Sequence, residues 1–287
     1  MDRRLLFRKK ITQNLDTKKT IITKINTIYF TGSSFTEGGG LNEATLNEYR
    51  NTYNIKFNGN KERDVCYPTL IGKKLKIEIV NDAACGGGFD RVIRKIWEYI
   101  PKQPIYKLQK TLFILELPGT YNRLDIYSNK LNKHLICNIT HKENYNEFDI
   151  FVTENYLNKK TIDSEYFTQI TNSIKNWYID CVNPIQQITN SKNSLSGLIS
   201  YFKLNNIPFL LSGQLDFIDY GLFENIKKNV LYINIDGKLY ESILIYSNTN
   251  NKRISDEIKN NTDDHPGLFA HQTWADGIID FINTNEL

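Results

Sequence analysis

The run Thr111–Leu117, TLFILEL, sets the strongest limit on what this chain can fold into. Five of its seven residues are large and apolar, and they occupy both alternating faces of an extended strand. Such a strand has to be covered on both sides, which is the situation of a mainly parallel sheet with helices packed above and below it. Four further short segments read the same way: Thr27–Thr31 (TIYFT), Lys76–Asn81 (KIEIVN), Pro208–Ser212 (PFLLS) and Leu231–Ile235 (LYINI). Helical patterns separate them. Val92, Ile93, Ile96, Trp97 and Ile100 recur at three- and four-residue steps until Pro101 stops the run. Asp163–Cys181 reads as a helix capped by Asp163, Leu195–Phe202 repeats an apolar face beyond Pro184, and Ala270, Trp274, Ile278 and Phe281 stripe a last helix. Strands alternating with helices predict an α/β fold with right-handed crossovers.

Two polar stretches depart from the alternation. Residues 43–64 read as an inserted loop or small hairpin, and residues 124–161 as a second insertion beside the sheet. Neither is long enough for a separate domain. We therefore expect a basic arm over residues 1–26, rich in Arg and Lys, followed by one domain over 27–287. The arm accounts for much of the net charge of +4, and nothing resembling a nucleic-acid module accompanies it. Hydrophobic residues at 40% and charged residues at 24% are ordinary for a globular protein, and no apolar run approaches membrane-spanning length. No signal-peptide pattern opens the chain, and Cys66, Cys85, Cys137 and Cys181 form no C-x-x-C pair, so a reducing, cytoplasmic or virion-associated setting is expected.

Functional groups in open α/β sheets gather beyond the carboxyl ends of the strands. Three such places carry chemistry. Gly32-Ser33-Ser34 follows the first strand, and a serine there needs a base to become a nucleophile. Val80–Gly88, VNDAACGGG, leads from a strand into a helix, where small residues let backbone amides approach a developing oxyanion. Near the end, Asp263-Asp264-His265-Pro266 offers an imidazole with a carboxylate two residues earlier to orient it, and Pro266 suits the first turn of the helix that follows. His134 and His141 have no such setting. Taken singly, each of these stretches also reads as an ordinary turn.

In order and spacing they resemble the SGNH hydrolases, the GDSL esterases and lipases. Gly-x-Ser, Asn81 followed five residues later by Gly86, Asp-x-His-Pro, the Cys66–Leu75 segment and His271 are the matching landmarks, spread over about Ile28 to Phe281. The resemblance implies a flavodoxin-like three-layer α/β/α sandwich. It also implies Ser34 as nucleophile, His265 as base, Asp263 as orienting carboxylate, and the amides of Ser34 and Gly86 as oxyanion donors. The reaction it implies is hydrolysis of a small acyl ester, such as an acetyl group on a carbohydrate, with no metal or organic cofactor. Departures from the family pattern are Ser33 in place of Asp, the two-residue Asp263–His265 spacing, and LPGTYNR (Leu117–Arg123) where a Gly-x-Asn-Asp is usual. Asn122 would have to supply the third oxyanion donor, while Arg123 suits either an anionic substrate group or a salt bridge. A second reading is a binding or structural protein, virus-associated, that keeps the fold with a degenerate site.

Overall fold

The computed structural model describes residues 25–55, 59, 61–118, 123–129, 132–141, 148–152, 164–181, 183–213, 227–240 and 242–284. The basic arm up to residue 24, the Asp163 cap and Asn122 lie outside the described residues. Nine strands are β1 (Thr27–Thr31), β2 (Glu78–Asn81), β3 (Thr111–Leu117), β4 (Arg123–Ser128), β5 (Lys133–His141), β6 (Phe148–Val152), β7 (Phe209–Gly213), β8 (Ile233–Ile235) and β9 (Lys238–Tyr240) among the described residues. The first helices are α1 (Ser34–Glu37), α2 (Glu43–Tyr53), α3 (Glu62–Val65), α4 (Tyr67–Leu75), α5 (Phe89–Tyr99) and α6 (Ile105–Leu108). They are followed by α7 (Ser164–Cys181), α8 (Pro184–Leu204), α9 (Ile243–Thr249), α10 (Ile254–Glu257) and α11 (Leu268–Thr284).

The central sheet is parallel throughout, in the order β2-β1-β3-β7. Its side chains divide by the two-residue period of a strand. Tyr29, Phe113, Leu115, Leu117, Phe209 and Leu211 point to one face, against Val92 and Ile96 of α5 and Leu195, Leu198 and Phe202 of α8. Ile28, Phe30, Leu112, Ile114 and Leu210 point to the other, against Tyr67 and Ile71 of α4, Tyr246 of α9, and Ala270, Trp274 and Ile278 of α11. The result is an α/β/α sandwich, as TLFILEL demands. Each large side chain fully buried in these two layers contributes roughly 1.5–3 kcal/mol.

Several elements differ from the sequence reading, each for a local reason. Residues 43–53 are a helix, not a loop or hairpin. Asn42 caps it by accepting from the Thr45 amide, and Leu46 and Tyr49 supply a narrow buried stripe on an otherwise polar surface. The stretch read as an insertion beside the sheet contains strands β4, β5 and β6, which form an antiparallel sheet of their own. Arg94 of α5 ties it to the sandwich through the buried carboxylate of Asp125. The expected LYINI strand touches the central sheet only at its start, where Val230 forms an isolated parallel bridge with Leu211 of β7 and Leu231 N–H donates to Leu211 O at 2.7 Å; its remainder shrinks to β8, which pairs antiparallel with β9. Between them Asp236 and Gly237 take φ 51° and 79°, the left-handed pair that a tight hairpin turn requires. Finally, Pro266 lies before α11, not in its first turn, and forms an isolated bridge with Arg253.

Candidate active site

β1 delivers the chain to Gly32, and α1 begins two residues later with Ser34 as its first residue. What holds this corner is a carboxylate. Glu116 is the one charged side chain in the apolar strand β3, and it is buried. Its Oε2 accepts from the Ser33 amide at 2.6 Å, the Ser33 hydroxyl at 3.0 Å and the Thr36 hydroxyl at 3.0 Å. Ser33, at the place where the family pattern has Asp, is therefore a donor to Glu116 and is itself fully buried. A Cβ on Gly32 would stand 2.4 Å from Glu116 Oε2, so a residue with a side chain cannot sit there without displacing the anchor. A lone glutamate inside TLFILEL is a signal the sequence reading passed over: a buried carboxylate demands donors nearby.

The imidazole comes from the segment before α11. His265 Nδ1–H donates to Asp263 Oδ1 at 2.6 Å, which leaves Nε2 to accept from the Ser34 hydroxyl at 3.1 Å. The same Asp263 oxygen accepts from the His265 backbone amide at 2.9 Å, so the two-residue spacing closes a compact turn around the ring. Backbone bonds from α10 hold that turn, Ile254 N–H to His265 O and Ser255 N–H to Asp263 O, both 2.9 Å. Asp264, the rival carboxylate, accepts from Arg253 at 3.2 Å and Ser255 at 3.3 Å, and its side chain is 75% exposed. His134 lies beside Asp125, 3.3 Å away, in the antiparallel sheet. His271 is fully buried, stacked on Tyr67, and its Nδ1 accepts from the Tyr67 amide. Burial, with the nearby His265, pushes its pKa down to about 3, so it stays neutral.

The glycines after α1 have a role that the sequence did not reveal. A Cβ on Gly39 would lie 2.8 Å from Ser34 Cβ and 3.1 Å from the His265 ring. On Gly40, whose φ is +84°, it would lie 2.5 Å from Asp263 Oδ2. Gly39 and Gly40 thus provide clearance for the three side chains to meet.

The second loop, residues 82–88, is tied to the first. Ala84 N–H donates to Gly32 O at 3.2 Å, and the Cys85 amide donates to Glu37 at the end of α1. Arg63 fastens the same loop by donating to Asn81 O and Ala83 O, both 3.0 Å, while pairing with Glu37. Gly86 is buried with φ 73°. Burial and the neighbouring Glu37 raise the Cys85 thiol above its usual pKa, so it is not an activated thiolate. Gly88 packs on the first residue of β4: a Cβ there would fall 2.3 Å from Arg123 O. Ser34, Phe35, Arg123, Leu244, Asn248, Arg253, Asp264 and His265 line an open cleft of about 360 Å³. Among the described residues no cluster of His, Cys, Asp and Glu is placed to hold a metal ion, and no helix is long and apolar enough to cross a membrane.

No protein-family model matches the chain, and no curated protein does. Solved structures similar to it include the psychrotrophic esterase EstA from Pseudoalteromonas sp., inhibited by monoethylphosphonate, at 10% identity and TM-score 0.43, covering 90% of this chain and 99% of that one. Another is a putative GDSL-like lipase from Parabacteroides merdae, at 14% identity and TM-score 0.39, covering 94% and 99%. A third is LAE5, an α/β hydrolase from the metagenome of Lake Arreo, at 10% identity and TM-score 0.40, covering 91% and 97%. At such identities and TM-scores the likenesses carry no chemistry over to this chain.

Proposed function

We propose that the protein is a serine esterase or deacylase of SGNH type, acting on a small acyl ester such as an acetyl group on a carbohydrate. The observation that carries the reading is the hydrogen-bonded line from Ser34 Oγ to His265 Nε2, 3.1 Å, and from His265 Nδ1 to Asp263 Oδ1, 2.6 Å, across 231 residues of sequence. In this reading Ser34 Oγ attacks the ester carbonyl while its proton passes to His265 Nε2. Asp263 keeps Nδ1 protonated and stabilises the imidazolium. The oxyanion forms next to the amides of Ser34 and Gly86, and Asn122 is the proposed third donor. Each well-aimed donor lowers the barrier by about 3 kcal/mol. His265 then returns the proton to the leaving alcohol oxygen as the carbonyl re-forms, which leaves an acyl-Ser34. A water repeats the cycle with His265 as base, releasing the acid and free serine. No metal or organic cofactor takes part in these steps.

Hydrolysis of 4-nitrophenyl acetate tests the proposal. Wild type should turn over well above the Ser34→Ala background, and Asp263→Asn should fall by about 10⁴ in kcat, the loss expected when the orienting carboxylate of such a triad is neutralised. Equal rates for wild type and Ser34→Ala would rule the reading out.

A further inference from the structure

We infer that Arg123 reads a negative charge on the substrate: the ester taken by the cleft carries a carboxylate on its alcohol portion. The inference rests on the esterase reading above and narrows its substrate.

The arginines of the described residues differ in one respect. Arg50 donates to Asn47 and Gly59 O, Arg63 to Glu37 and two backbone carbonyls, and Arg91 to Asp82 O. Arg94 pairs with Asp125 and Glu98, and Arg253 with Asp256 and Asp264. Arg123 has no hydrogen bond or ion pair among the described residues, and its Nη1 is shut away from water with no acceptor. A permanently charged guanidinium held partly out of water without an acceptor raises the free energy of the empty site, and an anion arriving beside it relieves that penalty. The surroundings say where the anion arrives. Arg123 lines the same cleft as Ser34 and His265. Its backbone is pressed against Gly88, so the side chain starts from a fixed point beside the second loop. Its positive field is felt at Cys85 of that loop. The other arginine of the cleft, Arg253, is already neutralised by its two carboxylates.

A carboxylate suits this group because the planar fork of a guanidinium matches its two oxygens, and the pairing is charge-assisted. A small acyl group such as acetyl has no place for a charge, so the carboxylate belongs to the alcohol side, for which an acidic sugar is the fitting class.

The test separates charge reading from catalysis. Calorimetric titration of Ser34→Ala with 3-acetoxybenzoate and with its neutral match, 3-acetoxybenzamide, measures binding alone. We expect the anion to bind at least about tenfold tighter, and the preference to vanish when Arg123→Gln or Arg123→Met is added, each variant being checked by its melting curve. Arg123→Lys should restore part of the preference. With Ser34 intact, the same two esters should show the same preference in kcat/KM. No preference in Ser34→Ala, or a preference that survives loss of Arg123, overturns the inference. Equal loss of kcat on both esters in Arg123→Gln also overturns it, and would assign the guanidinium to the oxyanion. Charge-selective binding without turnover would instead remove the esterase reading and leave an anion-binding cleft.

Discussion

Replacing Glu257 by Gln should change how stability responds to pH between about 4.5 and 7. Glu257 ends α10, whose amides hold Asp263 and His265 in place. Its side chain is buried under Tyr49 and Leu268, where Oε2 accepts from the Tyr49 hydroxyl at 2.6 Å and the Phe269 amide at 3.4 Å. Oε1 has no partner. With half of the carboxylate unsolvated, the neutral acid is favoured, and burial pushes the pKa up from 4.5 to about 7. The sign follows from proton counting. Between these two values the folded protein holds a proton on Glu257 that the unfolded chain has released, so the contribution of Glu257 to stability is greatest below about pH 4.5 and is lost as pH rises through 7. At about 1.4 kcal/mol per unit, the loss is about 3 kcal/mol. Gln fills the same space and can accept from Tyr49, yet does not titrate. Urea unfolding at pH 5 and pH 8 should show wild type losing about 2.5 kcal/mol more than Glu257→Gln over that interval. Parallel losses in the two proteins would refute the reasoning.

Three further substitutions test the framework of the site. Glu116→Gln keeps one carbonyl oxygen for Ser33 and Thr36 but removes the negative charge that strengthens the three bonds to Oε2. It should cost about 2–4 kcal/mol in urea unfolding and slow acylation of Ser34, whereas an unchanged midpoint and rate would mean the anchor is dispensable. Gly39→Ala forces a methyl against Ser34 and His265, so turnover should drop far more than stability; full activity would show that the two side chains have room to spare. Gly88→Ala drives a methyl into the Arg123 backbone and should lower the melting temperature by several degrees, about 1–3 kcal/mol of strain, with no shift as the contrary result.

The outline of this molecule was readable because one strand allowed few alternatives. TLFILEL predicts a doubly covered sheet, and β3 occupies those seven residues. The three places at which chemistry could gather were also legible, since strand ends followed by small or polar residues stand out against apolar runs. What could not be read is whatever depends on distance across the fold. Gly39 and Gly40 look like a flexible exit until the side chains they clear are known to be those of His265 and Asp263. Glu116 looks like a lapse in an apolar strand until Ser33 arrives above it, 83 residues away in sequence. Helix α2 escaped notice because only Thr45, Leu46 and Tyr49 are buried among eleven mostly polar residues. The β8–β9 hairpin is hard to read for a different reason: the Asp-Gly signal is present, yet the apolar run before it fits a parallel strand equally well, and only Val230 at its start bridges β7.

The most direct test of the account is the site and base dependence of covalent labelling by a fluorophosphonate. The account predicts one adduct per chain, carried on Ser34 by peptide mass, with labelling lost in Ser34→Ala and His265→Ala and retained in His134→Ala. An adduct on another residue, or labelling that survives His265→Ala undiminished, would contradict it.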